Sequence, residues 1–199
     1  MPANDLQRKG QPRPRLVVFF GLTASGKSTL AMAWARQQEI PYYNTDRVRK
    51  ELAGLQATDR RPDGVNQGIY SPALSALTYQ AMLERARTDM VAGAAMVVLD
   101  GSYSKRADRE TVRRVAGELG ADCVFWYCHC SEEETRRRLA VRAVDSKAVS
   151  DGRWEIFIHQ QGSFELPGAD EVQDCFFLDT EQMVAELLRK VAAQSPLRD

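Results

Sequence analysis

The chain has 199 residues, of which 44% are hydrophobic and 27% are charged, and this composition is typical of one ordinary folded domain. Its 27 basic residues balance its 27 acidic residues, whereas most nucleic-acid-binding proteins carry a basic excess. No apolar run approaches the roughly 20 residues that a membrane-spanning helix requires. We therefore expect a cytoplasmic monomer that does not associate with a membrane. Its expected partner is a small molecule, and a nucleic acid is the less favoured alternative.

The first residues differ in character from the rest of the chain. Residues 1–14 are mostly polar, and no apolar segment follows Met1, so they are predicted to form a flexible arm and not a secretory signal. Residues 15–199 are predicted to form a single domain, because they contain no repeat and no interior linker. The four cysteines lie in or beside apolar runs without a CxxC spacing, and we expect them to be reduced.

Short apolar runs alternate with helical segments along the whole chain. The runs are nearly continuous, as is typical of strands buried on both faces, and they predict strands at 16–20, 40–43, 95–99, 123–128 and 175–178. Helices are predicted at 27–38, 46–53, 72–92, 104–119, 131–142 and 180–193. This alternation predicts an α/β fold with three α/β/α layers, in which a parallel sheet of about five strands has helices on both faces. Ligands of such sheets bind beyond the carboxyl ends of the strands.

A phosphate-binding loop follows the first predicted strand. Residues 21–28 have the sequence GLTASGKS, which matches GxxxxGK[ST] and leads directly into a helix. Small residues let the backbone N–H groups surround a phosphate, and the helix N-terminus favours the same anion. The loop predicts a nucleoside triphosphate and Mg²⁺ as cofactors, with Lys27 on the β- and γ-phosphates and Ser28 on the metal. The predicted nucleotide contacts are Gly21, Thr23, Ala24, Ser25, Gly26, Lys27, Ser28 and Thr29.

Two carboxylates follow the second and third predicted strands, at the same edge of the sheet as the loop. Asp46 is placed to accept the proton of an attacking hydroxyl or to hold a water on Mg²⁺. The alternative is that Asp46 is only the N-cap of the helix that follows. Arg49 lies on the same helical face, where it would contact the γ-phosphate or the acceptor, unless it is a solvated helix arginine. Asp100 is placed to support Mg²⁺ or to position the acceptor. The predicted metal group is Ser28, Asp46 and Asp100, and the division of roles between the two carboxylates stays open.

A helix rich in arginine follows the fourth predicted strand. Arg138 and Arg142 are four residues apart and share a helical face, so they are predicted to close over the transferring phosphoryl group as part of a lid at about 136–165. The alternative is a solvated face in which the arginines pair with Glu132 to Glu134. Residues 143–170, which are rich in Gly, Ser, Asp and aromatic residues, are predicted to cover the site.

Five segments together resemble a known group of enzymes. The segments are GLTASGKST at 21–29, NTDRVRKELAG at 44–54, GIYSP at 68–72, VVLDGSY at 97–103 and RRRLAVR at 136–142. Over about residues 15–180 the chain resembles P-loop kinases of the polynucleotide kinase, gluconate kinase and zeta-toxin type, and most of all the bacterial predicted kinases labelled AAA. Relatives often have Ser-Asp before the arginine, where this chain has Thr45-Asp46 after Asn44, so the aspartate is retained.

The resemblance implies a role for each matching residue. Lys27 and Ser28 match the phosphate lysine and the Mg²⁺ hydroxyl, Asp46 matches the carboxylate that activates the acceptor hydroxyl, and Arg49 matches the arginine three residues later. Arg138 and Arg142 match lid arginines. The resulting hypothesis is an ATP- and Mg²⁺-dependent phosphotransferase that moves the γ-phosphoryl group to a hydroxyl of a small molecule, with Asp46 as the base.

Three alternatives accompany this hypothesis. The first is a 5′-hydroxyl polynucleotide kinase, for which Arg60, Arg61 and Tyr70 are candidate groove residues. The second is a zeta-toxin-like kinase of a nucleotide sugar. The third belongs to another class, an ATP-dependent switch whose nucleotide state controls partner binding, and a fixed acceptor carboxylate with a lid disfavours it.

Overall fold

The computed structural model describes residues 13–61, 63–64, 66–145 and 148–194. The strands are β1 (Arg15–Phe20), β2 (Tyr42–Asn44), β3 (Met96–Gly101), β4 (Asp122–His129) and β5 (Cys175–Asp179). The helices are α1 (Lys27–Gln38), α2 (Thr45–Leu52), α3 (Pro72–Val91), α4 (Arg106–Glu118), α5 (Glu132–Val144), α6 (Trp154–Ser163) and α7 (Val184–Gln194). Two short 3₁₀ helices lie at Gly68–Tyr70 and Ala169–Glu171.

The predicted three-layer α/β/α fold is confirmed. The five strands form one parallel sheet in the order β2-β3-β1-β4-β5, with β1 at the centre. Residues 16–20 of β1 are fully buried, because both faces of the sheet are covered. Leu16, Val18 and Phe20 belong to a core with α3 and α4, whereas Val17 and Phe19 belong to a core with α1 and α7.

Some predicted boundaries were wrong. The second strand begins at Tyr42 and not at residue 40, and the last helix begins at Val184 and not at residue 180. Helix α6 lies inside segment 143–170, for which no helix was predicted. Its ten residues include Gly162 and bury only Phe157, so they lack the repeated apolar stripe that indicates a helix in a sequence.

Helices α5 and α6 lie directly on the phosphate-binding loop. Leu139 of α5 and Phe157 of α6 form a small buried cluster with Ala24 of the loop, and Leu22 and Trp154 pack against it. Apolar contacts therefore hold α5 and α6 against the loop, in the region where the lid was predicted. The predicted lid at about 136–165 includes residues 146–147, which lie outside the described residues, as do residues 1–12 of the predicted arm.

The described end of the predicted arm is attached to the sheet. Arg13 forms an ion pair with Asp122 at 2.9 Å, and the carbonyl oxygen of Pro14 accepts a hydrogen bond from the Asp122 N–H. All four cysteines are described, and none forms a disulfide. None of the helices in the described ranges combines the length and the apolar character needed to cross a bilayer.

Candidate active site

The phosphate-binding loop requires glycine at both of its ends. Gly21 has φ of 144°, and a Cβ there would lie 2.3 Å from the carbonyl oxygen of Cys128. Gly26 has φ of 85°, and its Cβ would lie 2.9 Å from the side chain of Thr180. Gly26 is also the N-cap of α1, and it supplies no side-chain cap, so N–H groups of the first turn remain available to an anion.

Lys27 lies between the loop and the two carboxylates predicted to act with it. Its Nζ donates a hydrogen bond of 3.0 Å to the carbonyl oxygen of Leu22. Burial lowers the pKa of Lys27, and the carboxylates of Asp100 and Asp46 oppose this shift. The structure therefore brings Lys27, Asp46 and Asp100 together, as the sequence predicted.

Asp100 is fully buried at the end of β3. Its Oδ2 accepts hydrogen bonds of 2.6 Å from the Tyr42 hydroxyl and from Nδ2 of Asn44. Its Oδ1 is buried and has no hydrogen-bond partner among the described residues. Burial raises the pKa of Asp100, and the Lys27 ammonium is the largest opposing influence.

The carboxylate of Asp100 and the hydroxyl of Ser28 suit Mg²⁺. Both are oxygen ligands, and they are close enough for a hydrogen bond from the Ser28 hydroxyl to lower the pKa of Asp100. The described residues contain no cluster of three or more His, Cys, Asp or Glu side chains that could hold a metal by itself. Mg²⁺ usually takes one or two protein ligands together with phosphate oxygens and water.

Asp46 is not the N-cap of α2, so that alternative was wrong. The cap is Asn44, whose Oδ1 accepts a hydrogen bond of 3.1 Å from the Arg47 N–H. Asp46 is the second helical residue, and its Oδ1 accepts a bond of 3.0 Å from Nη1 of Arg49. The capping role is thus filled by another residue, and the Asp46 side chain lies in the cleft beside Lys27.

Arg49 is buried, so it is not a solvated helix arginine. Its guanidinium lies 4.9 Å from the centre of the Tyr70 ring, a distance typical of a cation–π contact. Its Nε is buried and has no hydrogen-bond partner in the described part of the chain. Arg49 therefore combines a fixed position with an unused donor.

The two predicted lid arginines differ in how they are held. Arg138 donates to the carbonyl oxygens of Ala24 and Thr180, to the Thr180 hydroxyl and to Glu134, over distances from 2.7 to 3.2 Å. Arg142 lies near Asp46, and its pKa is lowered by burial, which the Asp46 carboxylate opposes. Arg138 is thus fastened to the loop, and Arg142 is a partly buried cation close to the predicted base.

The other two arginines of α5 are exposed and pair with glutamates, which is the alternative that the sequence offered. Arg136 pairs with Glu132 at 3.1 Å and Arg137 pairs with Glu134 at 2.6 Å, both on the exposed side of α5. Exposed pairs of this kind contribute little to stability.

Two residues that hold the loop were not predicted. Thr180, directly after β5, donates a hydrogen bond of 2.7 Å to the carbonyl oxygen of Ser25. Gln160 of α6 accepts a bond of 2.8 Å from the Thr23 N–H through its Oε1. They are 155 and 137 residues away from their partners, so no local sequence signal identifies them.

Two cavities meet at the loop. The donor-side cavity has a volume of about 570 Å³ and is lined by the loop, by the start of α1 and by Arg138 and Arg142. The acceptor-side cavity has a volume of about 610 Å³ and extends from Asp46 and Arg49 toward the start of α4. They have four lining residues in common, Lys27, Thr45, Asp46 and Ser150.

Comparison with known proteins places these features in a family. The model of the AAA domain family matches residues 16–167. Uncharacterized proteins of Mycobacterium tuberculosis and Mycobacterium bovis are 30% identical over 129 residues, which is 65% of this chain and 26% of theirs. The chain thus spans about a quarter of the length of these curated relatives.

Several solved kinases have the same fold. A sugar kinase from a Janibacter species has a TM-score of 0.67 at 19% identity, with 92% of this chain and 94% of that chain covered. A gluconokinase from Sinorhizobium meliloti has a TM-score of 0.61 at 23% identity, with 92% of each chain covered. The Mycobacterium tuberculosis APS kinase CysC, in complex with AMPPNP and APS, has a TM-score of 0.61 at 21% identity, with 92% and 98% covered. At these identities the similarity shows the fold.

Proposed function

The chain belongs to the AAA domain family and has the fold of a P-loop kinase, and from this we propose that it transfers the γ-phosphoryl group of ATP to a hydroxyl of a small molecule. The observation that carries the proposal is the junction of the two cavities at Lys27 and Asp46. A phosphate held by the loop and a hydroxyl in the second cavity would meet there, which is the arrangement that phosphoryl transfer requires.

The donor side offers positive charge where the phosphates would lie. Arg142 lies near Lys27, and its positive charge lowers the pKa of Lys27. Ser28 and Asp100 would hold Mg²⁺, which supplies charge neutralisation for the triphosphate. We assign ATP and not GTP from the resemblance to the kinase family, and the solved APS kinase with AMPPNP agrees with an adenine nucleotide.

The acceptor side offers a base that is held in position. Asp46 is bonded to Arg49, and Arg49 is fixed over Tyr70. In the proposed reaction the acceptor oxygen attacks the γ-phosphorus, its proton passes to the Asp46 carboxylate, and the bond between the γ-phosphorus and the bridging oxygen of ADP breaks. Arg142 and Lys27 stabilise the charge of the transferring group.

The alternatives receive less support. Arg60 donates to the carbonyl oxygens of Arg142 and Asp145, and the Tyr70 hydroxyl donates to Asp151, so these candidate groove residues are used within the protein. A nucleotide-dependent switch requires no second cavity next to the γ-phosphate position. The acceptor-side cavity therefore favours an enzyme with a small acceptor.

A transfer assay tests the proposal. Wild-type protein, Lys27→Ala and Asp46→Asn are incubated with γ-labelled ATP, Mg²⁺ and pools of sugars, nucleosides, other metabolites and 5′-hydroxyl oligonucleotides. We expect label in one pool, and a loss of about 10²- to 10⁴-fold in Asp46→Asn with nearly unchanged ATP affinity, because a general base contributes that much. Glu51→Gln, an exposed carboxylate of the same helix, is the matched control. Unchanged turnover in Asp46→Asn contradicts the role of Asp46 as the base.

A further inference from the structure

The wall of the acceptor-side cavity is rich in neutral hydrogen-bonding groups. The Tyr79 hydroxyl lies 3.0 Å from Oγ of Ser102, and burial raises the pKa of Tyr79, so this group stays neutral. The amide of Gln160 uses its oxygen to bind the loop, which leaves its NH₂ group for a ligand. Further neutral polar residues line the same wall, namely Asn66, Ser75, Ser104 and Ser163. Such a wall matches a ligand with many hydroxyls.

Two of the three cations that line this cavity are in ion pairs, and the third belongs to the phosphate-binding loop. Lys27 faces the phosphate position, and Arg49 is bonded to Asp46 at 3.0 Å. Lys105 pairs with Glu165 at 3.2 Å. The described lining residues include no other lysine or arginine. An acceptor with a carboxylate, a phosphate or a sulfate would therefore find no unpaired cation in the described wall.

The carboxylates of the cavity are not equally neutralised. Asp46 is paired with Arg49, and Asp151 is paired with the fully buried Lys50 at 3.2 Å. Asp108 is the third carboxylate of the lining, and it has no ion pair among the described residues. Arg109 and Lys105 attract its carboxylate without forming an ion pair with it.

Asp108 lies in the first turn of α4, half-buried and close to Tyr79. One interaction of its carboxylate is with the backbone N–H of Lys105, as is common in the first turn of a helix. Burial raises the pKa of Asp108, and the hydrogen bond from the Lys105 N–H is the largest opposing influence. Hydroxyl or ammonium groups of a ligand would satisfy its remaining acceptor capacity.

We propose that the acceptor is a hydroxyl-rich compound without anionic groups, and that Asp108 binds its hydroxyl or ammonium donors at the start of α4. This inference rests on the proposed function. It excludes acceptors that carry a carboxylate, phosphate or sulfate, because such a group would lie next to an unpaired carboxylate, where like charges repel.

The test compares three pools of hydroxyl compounds of similar size, in the presence of MgATP and wild-type protein. One pool contains neutral sugars and polyols, the second contains amino sugars and aminocyclitols, and the third contains sugar acids and sugar phosphates. Label in the first or second pool supports the inference, and the pool that is labelled shows whether Asp108 meets a hydroxyl or an ammonium. Label mainly in the third pool overturns it, and so does the absence of label from all three.

Asp108→Asn sharpens the test, because asparagine keeps an oxygen for the Lys105 N–H and removes the charge. We expect the KM for the acceptor to rise about 10- to 100-fold, the range for a lost charge-assisted hydrogen bond. The KM for ATP should stay the same, which separates this result from a folding defect. Glu110→Gln on the same helix is the control, and an unchanged acceptor KM in Asp108→Asn overturns the role of Asp108.

The proposed function fails in a different way. If it is wrong, no pool of any kind gives turnover of ATP that depends on Lys27. If only the inference is wrong, turnover of ATP that depends on Lys27 is present. The acceptor is then a compound that already carries an anionic group, or a compound from outside the three sugar-like pools.

Discussion

Replacing Asn44 by serine is expected to separate two roles that this residue fills at the edge of the site. Its Oδ1 caps α2 through the Arg47 N–H, and its Nδ2 donates to Oδ2 of Asp100 at 2.6 Å. Serine is as good an N-cap as asparagine, but its side chain is too short to reach Asp100. The serine variant therefore keeps the cap and loses the bond to the buried carboxylate.

The expected loss of stability follows from the charge of Asp100, which accepts the hydrogen bond that is removed. A hydrogen bond to a charged group contributes about 1.5–3 kcal/mol, so Asn44→Ser should lower the free energy of unfolding by that amount. Asn44→Ala also removes the cap, which costs about 1 kcal/mol more. Asn44→Asp keeps the cap but sets two carboxylates against each other, which raises the pKa of one of them. Its destabilisation should be largest above that raised pKa and should diminish as the pH falls through it.

Urea unfolding followed by circular dichroism measures these differences. The double variant Asn44→Asp with Asp100→Asn restores one amide and one carboxylate in exchanged positions, so it should be more stable than Asn44→Asp alone. If Asn44→Ser unfolds within about 0.5 kcal/mol of wild type, the bond to Asp100 contributes nothing, and the reasoning is refuted.

Other parts of the structure give further predictions. Glu171→Gln should cost about 3–5 kcal/mol in denaturant unfolding, because it removes the charge partner of the buried Arg109. The Arg109 guanidinium lowers the pKa of Glu171 from 4.5 to about 2, so this stabilisation is present above pH 4.5 and is lost toward pH 2. If the difference in the free energy of unfolding between wild type and variant does not shrink in acid, the prediction is contradicted. Gly21→Ala should abolish nucleotide binding or folding, since its Cβ would lie 2.3 Å from a carbonyl oxygen of β4, whereas Gly117→Ala, with open space around it, should do neither. Cys130 should be alkylated first, because burial raises the pKa of the other three thiols, and peptide mass spectrometry would reveal a different order.

The sequence was sufficient for the layers of the fold and for the phosphate-binding loop, because both depend on neighbouring residues. The five apolar residues of β1 indicate burial on both faces without knowledge of any partner. The loop needs small residues at fixed spacing, and Gly21 and Gly26 show the positive φ angles that explain the motif. Local patterns of this kind are visible in a single sequence.

The remaining features depend on contacts between distant segments. Asn44 and Asp46 are both favoured helix caps, and only the end of β2 at Asn44 decided which of them caps α2. Helix α6 forms because Phe157 reaches Ala24 and Leu139, which no pattern within residues 154–163 indicates. The pairing of Lys50 with Asp151 joins residues about one hundred positions apart, and it determines which carboxylates of the acceptor-side cavity are neutralised.

The strand order explains why the donor and acceptor groups lie together. Because β3 lies between β1 and β2, Asp100 pairs in register with Phe19 on one side and with Asn44 on the other. The loop after β1 and the helix after β2 therefore leave the sheet on either side of Asp100, and Lys27 and Asp46 meet above it. A different strand order would leave every motif of the sequence intact and would separate the loop from Asp46. The proposed chemistry thus depends on the neighbours of β3, a property of the sheet that the motifs alone do not encode.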